Sequence, residues 1–199
     1  MKRVRGWWGA VVAMCAAWCA AAGESLDLSG TWRIALDPSD RGIAEEWWRR
    51  APSDTIRLPG TTDEAEKGPA APRRAFTGHL SRTHPYRGAA WYQRDVEIPA
   101  AWRGLHPVLL LERSKVTAVW FDDAPCGTND SLGAGQVYEL PAAAAPGTHR
   151  LTVRVDNARL PPASGHQLSD DTQTDWNGIL GRIERQARER GGLRAPRTH

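Results

Sequence analysis

The constraint that most limits how this chain can fold is a period of two in its apolar residues. AAWYQRDVEIP (89–99) places Tyr92, Val96 and Ile98 on one side, and THRLTVRVDN (148–157) opposes His149, Leu151, Val153 and Val155 to Arg150, Thr152 and Arg154. Successive side chains of a strand point to opposite faces, so this alternation describes strands with one face buried and one wet. SGTWRIALD (29–37) repeats the pattern with Trp32, Ile34 and Leu36, and TIRLPG (55–60) is a brief strand stopped by Pro59 and Gly60. PVLLLER (107–113) and KVTAVWF (115–121) are apolar or β-branched throughout, and the residues from Asp122 to Pro125 form a turn after them. Only IAEEWWRR (43–50) reads as a helix, a short amphipathic one with Asp40 or Gly42 near its start. Residues 61–88, polar and rich in Gly, Pro and Arg, read as a long excursion of the functional or mobile kind. Many short strands between turn residues, with almost no helix, predict an all-β antiparallel sandwich or jelly roll. Trp32, Trp91 and Trp120 fall inside strands and are expected in its core rather than on an exposed carbohydrate platform.

The ends of the chain are of a different kind. MKRVRGWW is cationic, GAVVAMCAAWCAAA is apolar, and Ala20, Ala21 and Ala22 are small, which is the pattern of a secretion signal over residues 1–22. The apolar run is too short to span a bilayer comfortably. Cys19 as a lipid-attachment site is the alternative, with Ala-Ala-Trp before it as a poor recognition sequence. A periplasmic or secreted protein with no membrane attachment after cleavage is expected. Cleavage removes Cys15 and Cys19 and leaves Cys126 alone, so no internal disulfide is expected. The formal charge of +3 is carried by the two ends: Lys2, Arg3 and Arg5 in the leader, and five arginines against one glutamate from Arg185 onward. The body between them is acidic, so the positive balance is no argument for a nucleic-acid partner.

Taken in order, SGTWRIALDPSDRG, IRLPGTTDEAEKG, GAAWYQRDVEIPAAWRG, VTAVWFDDAPCGTNDS, LTVRVDN and TDWNGILGRIE resemble the N-terminal sugar-binding domain of glycoside hydrolase family 2. The resemblance covers roughly residues 26–184, in a family that includes β-galactosidases, β-glucuronidases and β-mannosidases. It implies a jelly-roll, galactose-binding-like β-sandwich over 23–184 and a β-glycoside as the ligand. Family members continue into an immunoglobulin-like domain and a (β/α)₈ barrel that carries two catalytic glutamates. A barrel takes ~250 residues, more than this chain holds. Retaining glycosidases set two carboxyls about 5–5.5 Å apart, whereas Glu45 and Glu46 are adjacent on the expected helix and diverge. Glu97 and Glu139 lie in or beside strands with nothing to mark them. No catalytic residue is therefore expected here. The Arg-rich segment 185–199 is expected to be a disordered basic tail or the product of a shifted reading frame, truncating the protein before its barrel. Two alternatives stay open: a stand-alone secreted carbohydrate-binding module, and a domain whose barrel is a separate polypeptide.

By the same resemblance, polar loops of this domain reach over to the barrel's active site and help to bind the sugar. The matching stretch supplies His166, Gln167, Asp171, Asp175, Trp176 and Asn177. Carboxylates and amides can hydrogen-bond adjacent sugar hydroxyls, and an aromatic face can take the axial C–H groups. The alternative is that Trp176 only plugs the end of the sandwich and Asn177-Gly178 only forms a turn. A second loop, GTNDS (127–131), offers Asn129 and Asp130 as substrate ligands or as plain turn formers, and Asn129-Asp130-Ser131 also fits an N-glycosylation acceptor. Asp156 and Asn157 end a strand as loop anchors. The histidines show no HxH or HExxH spacing and no phosphate-binding loop is present, so neither a metal nor a cofactor is expected.

Overall fold

A computed structural model describes residues 24–71, 82–141, 145–161 and 175–188. The expected signal, the basic tail beyond Arg188, and His166, Gln167 and Asp171 lie outside the described residues. The strands in chain order are β1 (Ser25–Asp27), β2 (Gly30–Asp37), β3 (Asp54–Leu58), β4 (Gly60–Thr61), β5 (Ala89–Ile98) and β6 (His106–Leu111). They continue as β7 (Val116–Phe121), β8 (Ala124–Asn129), β9 (Gln136–Glu139), β10 (Gly147–Asp156), β11 (Gly178–Ile179) and β12 (Ile183–Arg188). A six-stranded sheet runs β3-β2-β5-β10-β7-β8, a four-stranded sheet runs β1-β12-β6-β9, and β11 pairs with β4 in a short ribbon. The pairings are antiparallel, giving the β-sandwich that the alternation predicts.

Register turns the period of two into a core. Tyr92 lies opposite both Ile34 and Val153, and Val153 lies opposite Val119, so one row of side chains crosses four strands. All four are buried, facing Leu109, Leu111, Ile183 and Ala187 of the other sheet. Each fully buried aliphatic residue of this kind contributes roughly 1.5–3 kcal/mol. The opposite parity of β5 carries Trp91 and Gln93, which are buried as well, against a second cluster on the outer face of the six-stranded sheet. Trp91 and Trp120 are thus buried, as their strand positions suggest, but outside the space between the sheets.

Residues 43–50, which pack on this outer cluster, do not form the expected α-helix. Trp47 and Trp48 both turn onto the sheet, with Trp48 stacked on Trp120 at 5.0 Å and 5°. Glu46 instead adopts φ 51°, and only a single 3₁₀ turn, Trp47–Arg49, follows. A second difference lies at the end of β12. The strand runs through Arg185 to Arg188, with Arg185 and Ala187 buried. The Arg185 guanidinium lies 4.7 Å from the centre of the Trp102 ring and donates to the Glu97 carbonyl, and burial pushes its pKa down to about 10. The chain therefore still has something to bury past Glu184.

The turn between β7 and β8 is clamped to β10 by His149. Its Nδ1 lies 2.7 Å from the Asp122 carboxylate and its Nε2 lies 2.7 Å from the Ala145 carbonyl, while the ring stacks on Phe121. Burial opposes the charged imidazole, but these two acceptors outweigh it and raise the pKa above 6.5. A raised folded pKa contributes stability that is full below the unfolded value and fades as pH rises through the folded one. Urea-unfolding midpoints should accordingly fall as pH rises from about 6.5, and His149→Gln should flatten that slope; an unchanged slope in the variant would show that the clamp is not charged.

Candidate functional site

One end of the six-stranded sheet is set by register. Asp37, Ala89, Asp156 and Val116 lie side by side there, with Asn129 one step away opposite Thr117. The chain leaves these strand ends into the loops at 82–88, 112–115, 130–135 and 157–161, and the 175–182 segment crosses among them.

Asn177 holds that segment in place. It is fully enclosed, and its Oδ1 accepts the Tyr92 hydroxyl at 2.8 Å. Its Nδ2 donates to the carbonyls of Gly88 (2.9 Å) and Val155 (3.1 Å), and its own carbonyl accepts the Thr62 amide at 2.9 Å. Burial raises the Tyr92 phenol far above its ordinary pKa, so it stays a donor. Asn157 repeats the motif, donating to the Tyr86 carbonyl and accepting from the Gly88 amide, both at 2.9 Å. The next residue, Gly178, has φ 149°, and a Cβ there would lie 2.2 Å from the Gly60 carbonyl oxygen. Only glycine permits this close pairing of β11 with β4. The Asn-Gly dipeptide is therefore a brace entering a strand rather than a turn, and the Asn177 carboxamide is enclosed with both its oxygen and its nitrogen hydrogen-bonded within the fold.

Asp175 and Trp176 precede the brace. Arg82 donates to Oδ2 of Asp175 at 2.8 Å and also to its backbone carbonyl. Asp175 is 8% exposed, and its Oδ1 is buried with no hydrogen-bond partner among the described residues. Trp176 is half-buried, with the Lys115 ammonium 4.3 Å from the centre of its ring. Lys115 is itself buried, which lowers its pKa, while the charge of Asp175 acts in the opposite direction. Gln136 ties this lysine to the second loop, donating to the carbonyls of Lys115 and Ser131 at 2.8 Å each. Asn129 is half-buried at the end of β8 and accepts the Ser131 amide at 2.9 Å, and Asp130 is exposed beside it.

The structure thus brings Asn129, Asp130, Asp175 and Trp176 to one rim and adds Arg82 and Lys115, which the sequence reading passed over. Lysine before a β-branched run carries no local mark of burial, and Arg82 sits in the long excursion. Among the described residues, no group of three or more His, Cys, Asp or Glu side chains could hold a metal ion.

Carboxylate, cation and indole thus meet at a braced polar rim at one end of a two-layered β shell. The family model for glycosyl hydrolases family 2, sugar binding domain, matches residues 25–184, and the chain belongs to that family. A β-glucuronidase of Paenibacillus borealis is 27% identical over 154 residues, covering 74% of this chain and 24% of that protein. Among solved structures, a β-glucuronidase from an uncultured Clostridium species superposes with a TM-score of 0.63 at 15% identity, over 95% of this chain and 30% of that one. The Ruminococcus gnavus β-glucuronidase gives 0.62 at 17% identity, over 82% and 28%. These structural likenesses speak for the fold, and the chain spans less than a third of each relative.

Replacing Asn177 with Ala would strand the Tyr92 hydroxyl and two buried carbonyls, at a cost of roughly 2–4 kcal/mol. Equilibrium unfolding in urea measures this; a loss below about 0.5 kcal/mol, the range of ordinary surface changes, would show that the brace is not structural.

Proposed function

We propose that this chain is the sugar-binding domain of a secreted family 2 β-glycosidase of the β-glucuronidase kind. In this reading the rim at Asp175 and Trp176 contributes part of the sugar subsite. The observation that carries it is the buried Oδ1 of Asp175, left without a partner among the described residues while Arg82 fixes the other oxygen. A buried acceptor left unpaired costs about 1–3 kcal/mol, and a sugar hydroxyl donating to it removes that cost. Trp176 supplies apolar ring surface beside it, with Lys115 holding the indole and adding a cation to the rim. Asp130 can accept from a second hydroxyl, with Asn129 setting the loop that presents it.

Hydrolysis of the O-glycosidic bond requires a pair of carboxyls flanking it. We assign that pair to the barrel portion of such enzymes, outside the sugar-binding domain, so the 199-residue chain should bind a β-glycoside without cleaving it. The β-glucuronide is the preferred ligand class because the relatives of known activity carry that name. Export through residues 1–22 belongs to the same proposal.

Calorimetric titration of the purified chain with phenyl β-glucuronide, β-galactoside and β-mannoside tests this. Binding on the order of millimolar is expected, strongest for the glucuronide and about tenfold weaker in Asp175→Asn, the loss of one charge-assisted hydrogen bond. Equal affinity in the variant would overturn the role of Asp175, and steady release of phenol would overturn the assignment of cleavage to another domain.

A further inference from the structure

The outer face of the six-stranded sheet carries a groove that shares no lining residue with the rim. β3 pairs with β2 only between Gly30 and Ile34, so past Ile34 the β2 edge faces no strand on that side among the described residues. A cavity of about 450 Å³ occupies the gap, with Ala35 and Trp91 on its floor, the β2 edge at Leu36 beside them, Trp47 as one wall, and Arg50, Ser53 and Asp54 along its lip. This volume lies within the ordinary range of small-ligand sites, about 300–1,000 Å³.

The wall is held rigidly. The Trp47 indole Nε1 donates to Glu45 at 3.0 Å, and the ring packs on Trp91 with centroids 6.3 Å apart. Gln93 donates to the carbonyls of Trp48 (3.2 Å) and Arg50 (2.9 Å), which ties the lip to the sheet. A site ordered before its ligand arrives loses little conformational entropy on binding.

The chemistry of the lining narrows the occupant. An indole wall suits the apolar face of a pyranose ring. Arg50 offers donors, Asp54 offers acceptors and Ser53 offers both, the mixture that ring hydroxyls require. The two charged groups are each balanced locally, Arg50 by Glu45 at 3.2 Å and Asp54 by Lys67 at 2.7 Å, so a uronate or phosphate finds no excess cation there. The unpaired β2 edge, at Ala35 and Leu36, is too short to receive an added peptide strand. From this combination we infer that the groove walled by Trp47 is a second saccharide-binding site, taking one or two rings of a neutral oligosaccharide. Such a site would hold a polymeric glycan against the domain independently of the rim.

The experiment is a titration of the purified chain, followed by the indole N–H resonances of its tryptophans. The probes are the β-1,4-linked tetrasaccharides of glucose, galactose, mannose and xylose, with glucuronic acid as the anionic control. Saturable shifts of the Trp47 indole with at least one neutral tetrasaccharide are expected, and in Trp47→Ala the affinity, read at the Trp91 indole that also lines the groove, should fall at least tenfold. Ala35→Met, which fills the floor beside Trp91, should weaken binding similarly while keeping the wild-type spectrum away from the groove. Asp175→Asn should leave it unchanged, so failure here and failure at the rim are told apart. The proposal is overturned if no tetrasaccharide shifts Trp47, if Ala35→Met binds like the wild type, or if Asp175→Asn abolishes the effect.

Discussion

The hydrogen bond from the Tyr92 hydroxyl to the Asn177 carboxamide joins the two halves of this protein's organisation. Tyr92 belongs to the buried row that crosses four strands of the larger sheet, and Asn177 belongs to the loop that presents Asp175 and Trp176. Its amide nitrogen then reaches the carbonyls where β5 begins and β10 ends. A polar network of this kind, satisfied inside a low-dielectric core, fixes geometry more firmly than surface contacts do. The position of the rim is therefore set by the packing between the sheets, and loosening one should loosen the other.

The second consequence of the architecture is that both faces of the larger sheet are used. Between the sheets the apolar row forms the ordinary core. On the other face, Trp91 and Trp120 receive Trp47 and Trp48, so the 38–53 segment is bound to the sheet instead of left in solvent. Because that segment departs before β3 is fully paired, a groove opens between them with an indole wall. The β-sandwich thus presents a braced polar rim at one end and an aromatic groove on one face, each held by the same sheet.

Much of this was legible in the sequence, and the failures have a common cause. The strands from 89 and 148 are found where alternation put them, and those from 107 and 115 where continuous apolar or β-branched runs put them, their residues being buried on both faces. The short helix at 43–50 was misread because adjacent tryptophans suit an amphipathic pattern on paper, while the left-handed conformation of Glu46 interrupts the segment and leaves a single 3₁₀ turn. The strand end at Arg185 was misread because an arginine ordinarily signals solvent, and its partners, Trp102 and the Glu97 carbonyl, are distant in sequence. Asn177 lies 85 positions from Tyr92, so the sequence offered it as a sugar contact or a turn and not as a brace. Lys115 and Arg82 were passed over for the same reason: their significance comes from Asp175 and Trp176 across the fold. Local pattern reports which face is buried; it does not report which distant groups meet there.

The central claim is that the rim braced by Asn177 is where this domain touches a β-glycoside. Residue-resolved NMR titration with methyl β-glucuronide tests it most directly. The account predicts saturable shifts confined to Asp175, the Trp176 indole and the neighbouring 129–131 loop, with the Tyr92 and Asn177 signals moving little. Shifts clustered elsewhere on the sandwich, or none up to solubility-limited sugar, would contradict it.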